Sequence, residues 1–232
     1  FGVRGALNPG GIRLPNGKIL LMARIAETPK HGEKFFLAPR FAGTKNPHIV
    51  IEKIPRKMGQ VDPDDLWHFK MKENVYRLPT ISHIRKIWLD KSGMNVERIS
   101  QKPDFLGGTE DGDFGVEDPR ITFFGDESRY AMTYVSVSMS SGVSTSLALS
   151  NDLGTWQREG IIFRQQNKDV VIYPEKIGGY YVAMHRPEGT MIFDKPSIWL
   201  SYSKDLVFWG KDRPILKPRQ DSWEQLRIGS GT

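Results

Sequence analysis

Short runs of alternating or continuous apolar residues, each closed by a turn signal, dominate the chain and predict strands. Residues 18–24 follow the turn Pro15-Asn16-Gly17, and residues 130–137 follow Gly125-Asp126. Helical periodicity is confined to residues 62–73, which read as one short helix. Two strand-and-turn patterns recur. A Pro-containing strand leading through a turn to an apolar strand occurs at Asn8-Pro9-Gly10-Gly11-Ile12, at Asp118-Pro119-Arg120-Ile121 and at Tyr173-Pro174-Glu175-Lys176-Ile177. Pro119 and Pro174 lie 55 residues apart. A strand closed by a polar turn and an aromatic occurs at residues 147–153 before Trp156 and at residues 199–206 before Trp209, and the two Trp residues are 53 apart. A fainter copy runs from residues 84–90 to Val96.

A four-strand unit of roughly 50–55 residues is the sequence mark of a β-propeller blade. A β-sandwich with coincidental spacing is the competing all-β architecture. Three units fit, and a fourth is expected to begin at residues 228–232. The first unit is longer by about 50 residues, at 26–77, whose Lys, Pro and Gly content predicts an insertion at the surface. Closed propellers need at least about four blades, so residues 1–232 are expected to be a single, incomplete propeller domain. Proline cannot donate to a ladder and belongs on an edge strand, such as the innermost strand of a blade. It also forces the preceding residue extended. Asn8, Asp118 and Tyr173 are thereby expected around one axis. Glu117 and Asp118, adjacent in a strand, are expected on opposite faces, with Asp118 toward the channel.

The composition is ordinary for a globular chain, with 38% hydrophobic and 26% charged residues. No run of about 18 apolar residues predicts a membrane helix. The absence of cysteine excludes disulfides, zinc-thiolate sites and cysteine nucleophiles, and fits a cytoplasmic setting. The net charge of +6 comes from scattered Lys and Arg mixed with acids. That pattern predicts a solvated surface with one anion site rather than a nucleic-acid or membrane partner. The five His residues lack metal-ligand spacing, and no glycine-rich phosphate loop precedes a helix. Ser150 and Ser203 sit in the repeated turns as structural hydroxyls, and Trp88, Trp156, Trp199 and Trp209 read as core between blades. Asp104, Glu110, Asp111 and Asp113 form an acidic loop that reads as solvated, with a substrate-contacting lid as the alternative.

The run Gly115-Val116-Glu117-Asp118-Pro119-Arg120-Ile121 is the most specific motif. It comes with Asn8-Pro9-Gly10, Leu20-Leu21-Met22-Ala23-Arg24, Asn167-Lys168-Asp169, Tyr173-Pro174-Glu175-Lys176, His185-Arg186-Pro187 and Gly229-Ser230-Gly231-Thr232. In these stretches, and in their order, the chain resembles glycoside hydrolase family 130, the mannoside phosphorylases and related β-mannosidases. The resemblance implies a five-bladed β-propeller, of which three blades and the start of a fourth lie in this chain. It implies that Asp118 is the single catalytic acid of an inverting, glycosyltransferase-type phosphorylase that cleaves β-mannosides and releases α-mannose 1-phosphate. Arg164, Arg186, Lys168, Asn167 and His185 would then hold phosphate, and Asn8 and Arg24 the mannose hydroxyls. Apart from the resemblance, His83 and Arg85, in Ile81-Ser82-His83-Ile84-Arg85, are expected to reach the leaving-group sugar. Inorganic phosphate would be a co-substrate, with no cofactor and no metal, and a mannose-containing oligosaccharide the other partner. The physics is coherent: an inverting hydrolase needs two carboxyls roughly 6.5–9.5 Å apart, whereas phosphate is already a nucleophile and needs a cationic cradle instead. An inverting β-mannosidase and a non-catalytic glycan-binding propeller are the alternatives. An arabinan-cleaving enzyme would need carboxylates at several blade starts, where Asn8 and Tyr173 are expected here. A homo-oligomer is left open, with the insertion as a candidate contact.

Overall fold

The computed structural model describes residues 1–30, 34–43, 46–61, 68–72, 75–188 and 193–231. Strands β1 (Gly2–Arg13) and β2 (Ile19–Thr28) form a hairpin around the Pro15-Asn16-Gly17 turn. The chain then leaves through β3 (Phe35–Ala42), β4 (His48–Pro55), β5 (Gly59–Val61), β6 (Phe69–Met71) and β7 (Tyr76–Arg77). It returns as β8 (Ile81–Leu89) and β9 (Val96–Ile99), completing an antiparallel sheet in the order β1-β2-β8-β9. Two uninterrupted meanders follow. One runs through β10 (Val116–Phe124), β11 (Arg129–Ser138), β12 (Gly142–Ser150) and β13 (Gln157–Phe163). The other runs through β14 (Asn167–Ile172), β15 (Tyr181–Pro187), β16 (Ile198–Ser203) and β17 (Trp209–Leu216). The only helical pieces among the described residues are 3-10 turns at Arg56–Met58 and Gly125–Glu127. No helix among them is long and apolar enough to cross a membrane.

The three four-stranded sheets stack face to face in a propeller-like way. Met22, Ile84, Phe105, Val116, Met132 and Tyr134 fill the space between the first and second. Phe124, Leu147, Phe163, Val170, Tyr181 and Leu206 fill that between the second and third. Each such buried side chain contributes about 1.5–3 kcal/mol. Trp156 packs against the first of these cores and Trp209 against the second. Trp88 instead carries the Arg98 guanidinium 3.5 Å above its ring. The first strand of the third sheet is also tied by hydroxyls of the second. Thr122, Thr133 and Thr145 donate to the carbonyls of Ile172, Val170 and Asn167 at 2.9, 2.6 and 3.0 Å. These bonds satisfy carbonyls on the edge of β14 and fix its position against β10, β11 and β12.

The repeated turns are built alike. The Ser150 hydroxyl accepts from the Leu153 amide, and that of Ser203 from the Leu206 amide, both at 2.9 Å. Asp152 and Asp205 accept the next amides, which holds their carboxyls below the usual carboxylate range. Both serines are therefore structural. The residue 62–73 helix does not form where it can be seen. Residues 62–67 and 73 lie outside the described residues, and Phe69–Met71 is a strand between β5 and β7. Burial of Phe69, stacked 4.2 Å from Phe36, overrides a weak helical period.

The innermost strands approach closely. A Cβ on Gly10 would stand 2.5 Å from the Pro119 carbonyl oxygen. Gly10→Ala is therefore expected to destabilise the fold by about 1–3 kcal/mol, because β1 must move off β10. A melting temperature equal to that of the wild type would show that this contact is not tight.

Candidate active site

Each innermost strand carries one residue in the left-handed region at a bulge: Asn8 (φ 40) in β1, Asp118 (φ 47) in β10 and Asp169 (φ 55) in β14. Asn and Asp tolerate this backbone better than other side chains with a Cβ. The third position is thus Asp169, not Tyr173, which follows the end of β14 while Pro174 lies in the connection to β15. Proline marks the first two bulges, but Val170 follows Asp169, so the proline pattern slid past the true equivalent. A usable signal was the distance from bulge to second strand. β2, β11 and β15 open 11, 11 and 12 residues after Asn8, Asp118 and Asp169.

The bulge also overturns the expected opposition of Glu117 and Asp118. Both carboxyls meet one guanidinium. Arg24 donates from Nη2 to Glu117 Oε1 at 2.6 Å and from Nη1 to Asp118 Oδ1 at 3.2 Å. Its Nε donates to Ser82 Oγ at 3.1 Å, and that hydroxyl lies 3.4 Å from Glu117 Oε1. The cluster is largely shielded, with side chains 15% (Arg24), 9% (Glu117) and 12% (Asp118) exposed. Burial pushes the Glu117 carboxyl up and the Asp118 charge adds to this, while Arg24, Lys168 and His68 pull it down. His68 stands just ahead of β6, so the excursion from the first sheet reaches this cluster, which no local pattern indicates.

A second cluster lies on the third sheet. Lys168 and Arg186 face each other across the β14–β15 ladder. Arg186 Nη1 binds Asp169 Oδ2 at 2.5 Å, and its Nη2 binds Glu188 Oε1 at 2.7 Å. Arg120, two residues after Asp118 on β10, reaches Asp169 Oδ1 at 3.6 Å. The Nε atoms of Arg120 and Arg186 are buried with no acceptor among the described residues. Ser230 donates its hydroxyl to the Asp169 carbonyl, laying residues 228–231 over this cluster without forming a strand there. Asn167 and His185 are buried together: Asn167 Nδ2 lies 2.8 Å from His185 Nδ1, and His185 Nε2 lies 2.8 Å from Ser201 Oγ. Ser201 donates in turn to Asp212. Burial, with the ring stacked on Phe163, lowers the His185 pKa to about 4, and Asp212 only partly opposes this. His185 is thus neutral near pH 7.

The remaining expected residues lie apart. Arg164 is exposed in the link between β13 and β14, and Asn8 is exposed at its bulge. His83 and Arg85 stand on the face of the first sheet opposite Arg24, as the register of β2 against β8 requires. They form their own cluster, with Arg85 Nε 3.0 Å from His83 Nε2 and Arg85 Nη2 3.2 Å from Glu27. Burial lowers the His83 pKa. The acidic loop is not solvated. Asp111 accepts from Tyr134 Oη at 2.5 Å and from Arg158 Nη1 at 2.7 Å. Asp113 accepts from the Met139 amide, and Asp104 from the Lys86 amide. Glu110 alone of the four acids is exposed.

Stacked four-stranded sheets, with an acid–guanidinium centre at the bulge of an innermost strand, define a propeller-like all-β protein. The profile of glycoside hydrolase family 130, described as beta-1,4-mannooligosaccharide phosphorylase, matches residues 73–232. The chain belongs to glycoside hydrolase family 130. It is 34% identical over 235 residues to a beta-1,2-mannobiose phosphorylase of Listeria innocua, covering 100% of this chain and 64% of that protein. It is 37% identical over 145 residues to a 1,2-beta-oligomannan phosphorylase of Thermoanaerobacter, covering 62% of this chain and 46% of that one. The crystal structure of the Listeria innocua beta-1,2-mannobiose phosphorylase in complex with beta-1,2-mannobiose superposes with a TM-score of 0.87 at 33% identity, over 99% of this chain and 64% of that one. The chain thus spans just under two thirds of the length of that relative.

Proposed function

We propose that the protein is an inverting phosphorylase that cleaves β-mannosides with inorganic phosphate. The carrying observation is the acid–guanidinium centre of Asp118, Glu117 and Arg24, followed two residues on by Arg120, which reaches a second cluster where Lys168 and Arg186 face each other, with two unspent guanidinium Nε donors. Asp118 gives its proton, relayed by a hydroxyl of the bound mannose, to the glycosidic oxygen. A phosphate oxygen attacks the anomeric carbon from the opposite face as the bond to the leaving sugar breaks. The products are α-mannose 1-phosphate and the shortened sugar, with the proton on its new hydroxyl. Lys168 and Arg186 attract the phosphate, Arg164 guides its approach from the exposed link, and neutral His185 fixes Asn167. Arg24 and Asn8 orient the mannose, whereas His83 and Arg85, on the opposite face of the first sheet, are given no sugar to hold.

The three sheets are, in this reading, blades of one five-bladed propeller domain, with the excursion between β2 and β8 as an insertion and a cytoplasmic setting. The names of the full-span relatives make β-1,2-mannobiose the first substrate to test. Incubation with and without phosphate is expected to release mannose 1-phosphate only with phosphate. One observation favours a second reading. Asp169 and Glu188 already neutralise Arg186, and a carboxylate in that place could activate water, as in an inverting β-mannosidase. Free mannose released at the same rate without phosphate would establish that reading instead.

A further inference from the structure

Arg24 poses a chemical problem for an acid catalyst. A guanidinium within hydrogen-bond reach favours the ionised form of a carboxyl, and typically makes an aspartate about 1–3 pH units more acidic. Asp118 paired with Arg24 alone would be a stable carboxylate with no proton to give. The geometry contains the remedy. The closer partner of Arg24 is Glu117, at 2.6 Å against 3.2 Å for Asp118. Ser82 aligns the arrangement, accepting from Arg24 Nε while leaning its hydroxyl on Glu117. All three kinds of Arg24 donor are thus directed, and the tightest contact is to the more buried of the two carboxyls.

We propose that Glu117 is a positioning residue for Asp118: by neutralising Arg24 it leaves the Asp118 carboxyl able to carry the proton that the reaction transfers. This rests on the reading of Asp118 as the acid. The titratable and charged groups facing Glu117 are Arg24 from β2, Asp118 beside it on β10, Lys168 from β14 and His68 from the segment before β6. Burial raises the Glu117 pKa and the Asp118 charge adds to this, while Arg24 first, then Lys168 and His68, oppose it in part. The bulge at Asp118 makes the arrangement possible, since a regular strand would send the two acids to opposite faces.

The test is the pH profile of kcat for the full chain and two variants. Turnover needs protonated Asp118, so kcat falls as pH rises through the alkaline limb. Glu117→Gln removes the opposing charge, lets Arg24 hold the Asp118 carboxylate, and is expected to move that limb about one pH unit lower. At a pH on the limb kcat falls about tenfold, with KM within about twofold. Glu117→Asp keeps the charge and is expected to restore most of the limb position, even where packing lowers kcat throughout. A Glu117→Gln limb that stays in place overturns the inference, whether kcat drops uniformly or not, because glutamine would then mimic a Glu117 that is already neutral or merely structural. Should Glu117→Gln fail to fold, a Glu117→Asp limb displaced to lower pH by more than about one unit overturns it equally, and a limb near that of the wild type supports it. A wild type without phosphate-dependent turnover removes the underlying reading itself and is distinguishable from all of these.

Discussion

Asp118→Asn is expected to lower kcat for β-mannobiose phosphorolysis by about 10³-fold while KM stays within about threefold. Asparagine keeps the size of the side chain and an oxygen for Arg24 Nη1, now 3.2 Å away. It cannot deliver a proton as a carboxylic acid does. The bulge survives, because Asn8 shows that asparagine adopts the same left-handed backbone at the equivalent place in β1. Binding is therefore expected to persist where turnover does not. A non-catalytic glycan-binding protein would keep all its measurable behaviour in this variant. The check is steady-state kinetics alongside mannobiose binding by calorimetry.

The second large effect is on stability. Arg186→Met is expected to lower the unfolding free energy by about 3–5 kcal/mol. Arg186 is 10% exposed at its side chain and binds Asp169 at 2.5 Å and Glu188 at 2.7 Å. Methionine fills much of the volume but leaves two shielded carboxyls without their shared cation. Arg120, at 3.6 Å, meets only Asp169 and cannot serve both. Urea unfolding measures the change through its midpoint. A midpoint within the error of the wild type would mean that the Asp169 and Glu188 carboxyls are solvated and that the cluster is no preformed site.

The strands and their turns were readable because both signals are local. Ser150 and Ser203 bond their own turns, and the mostly apolar run of residues 130–137 after a turn signal writes β11 directly into the chain. The three-sheet repeat followed from counting. The site was readable only in part. Asp118 stood out beside Pro119, but its left-handed backbone has no separate letter, so Glu117 was expected on the wrong face. Asp169 was missed because Val170 replaces the proline that marked the other two bulges. With an acid there, Asp118 and Asp169 occupy two of the three equivalent positions, and the expected objection to enzymes with several acids is weaker than Tyr173 made it. The Asp111–Tyr134–Arg158 cluster joins residues far apart in sequence, as does His68 beside Glu117, and neither leaves a periodic trace.

The Asp118 claim is a claim about one proton and is tested most directly by a leaving group that needs none. Asp118→Asn and the wild type would be compared, in phosphate, on β-mannobiose and on 2,4-dinitrophenyl β-mannoside. Loss on the disaccharide with activity on the aryl mannoside restored to near the wild-type rate is the expected result. Equal loss on both substrates would contradict it.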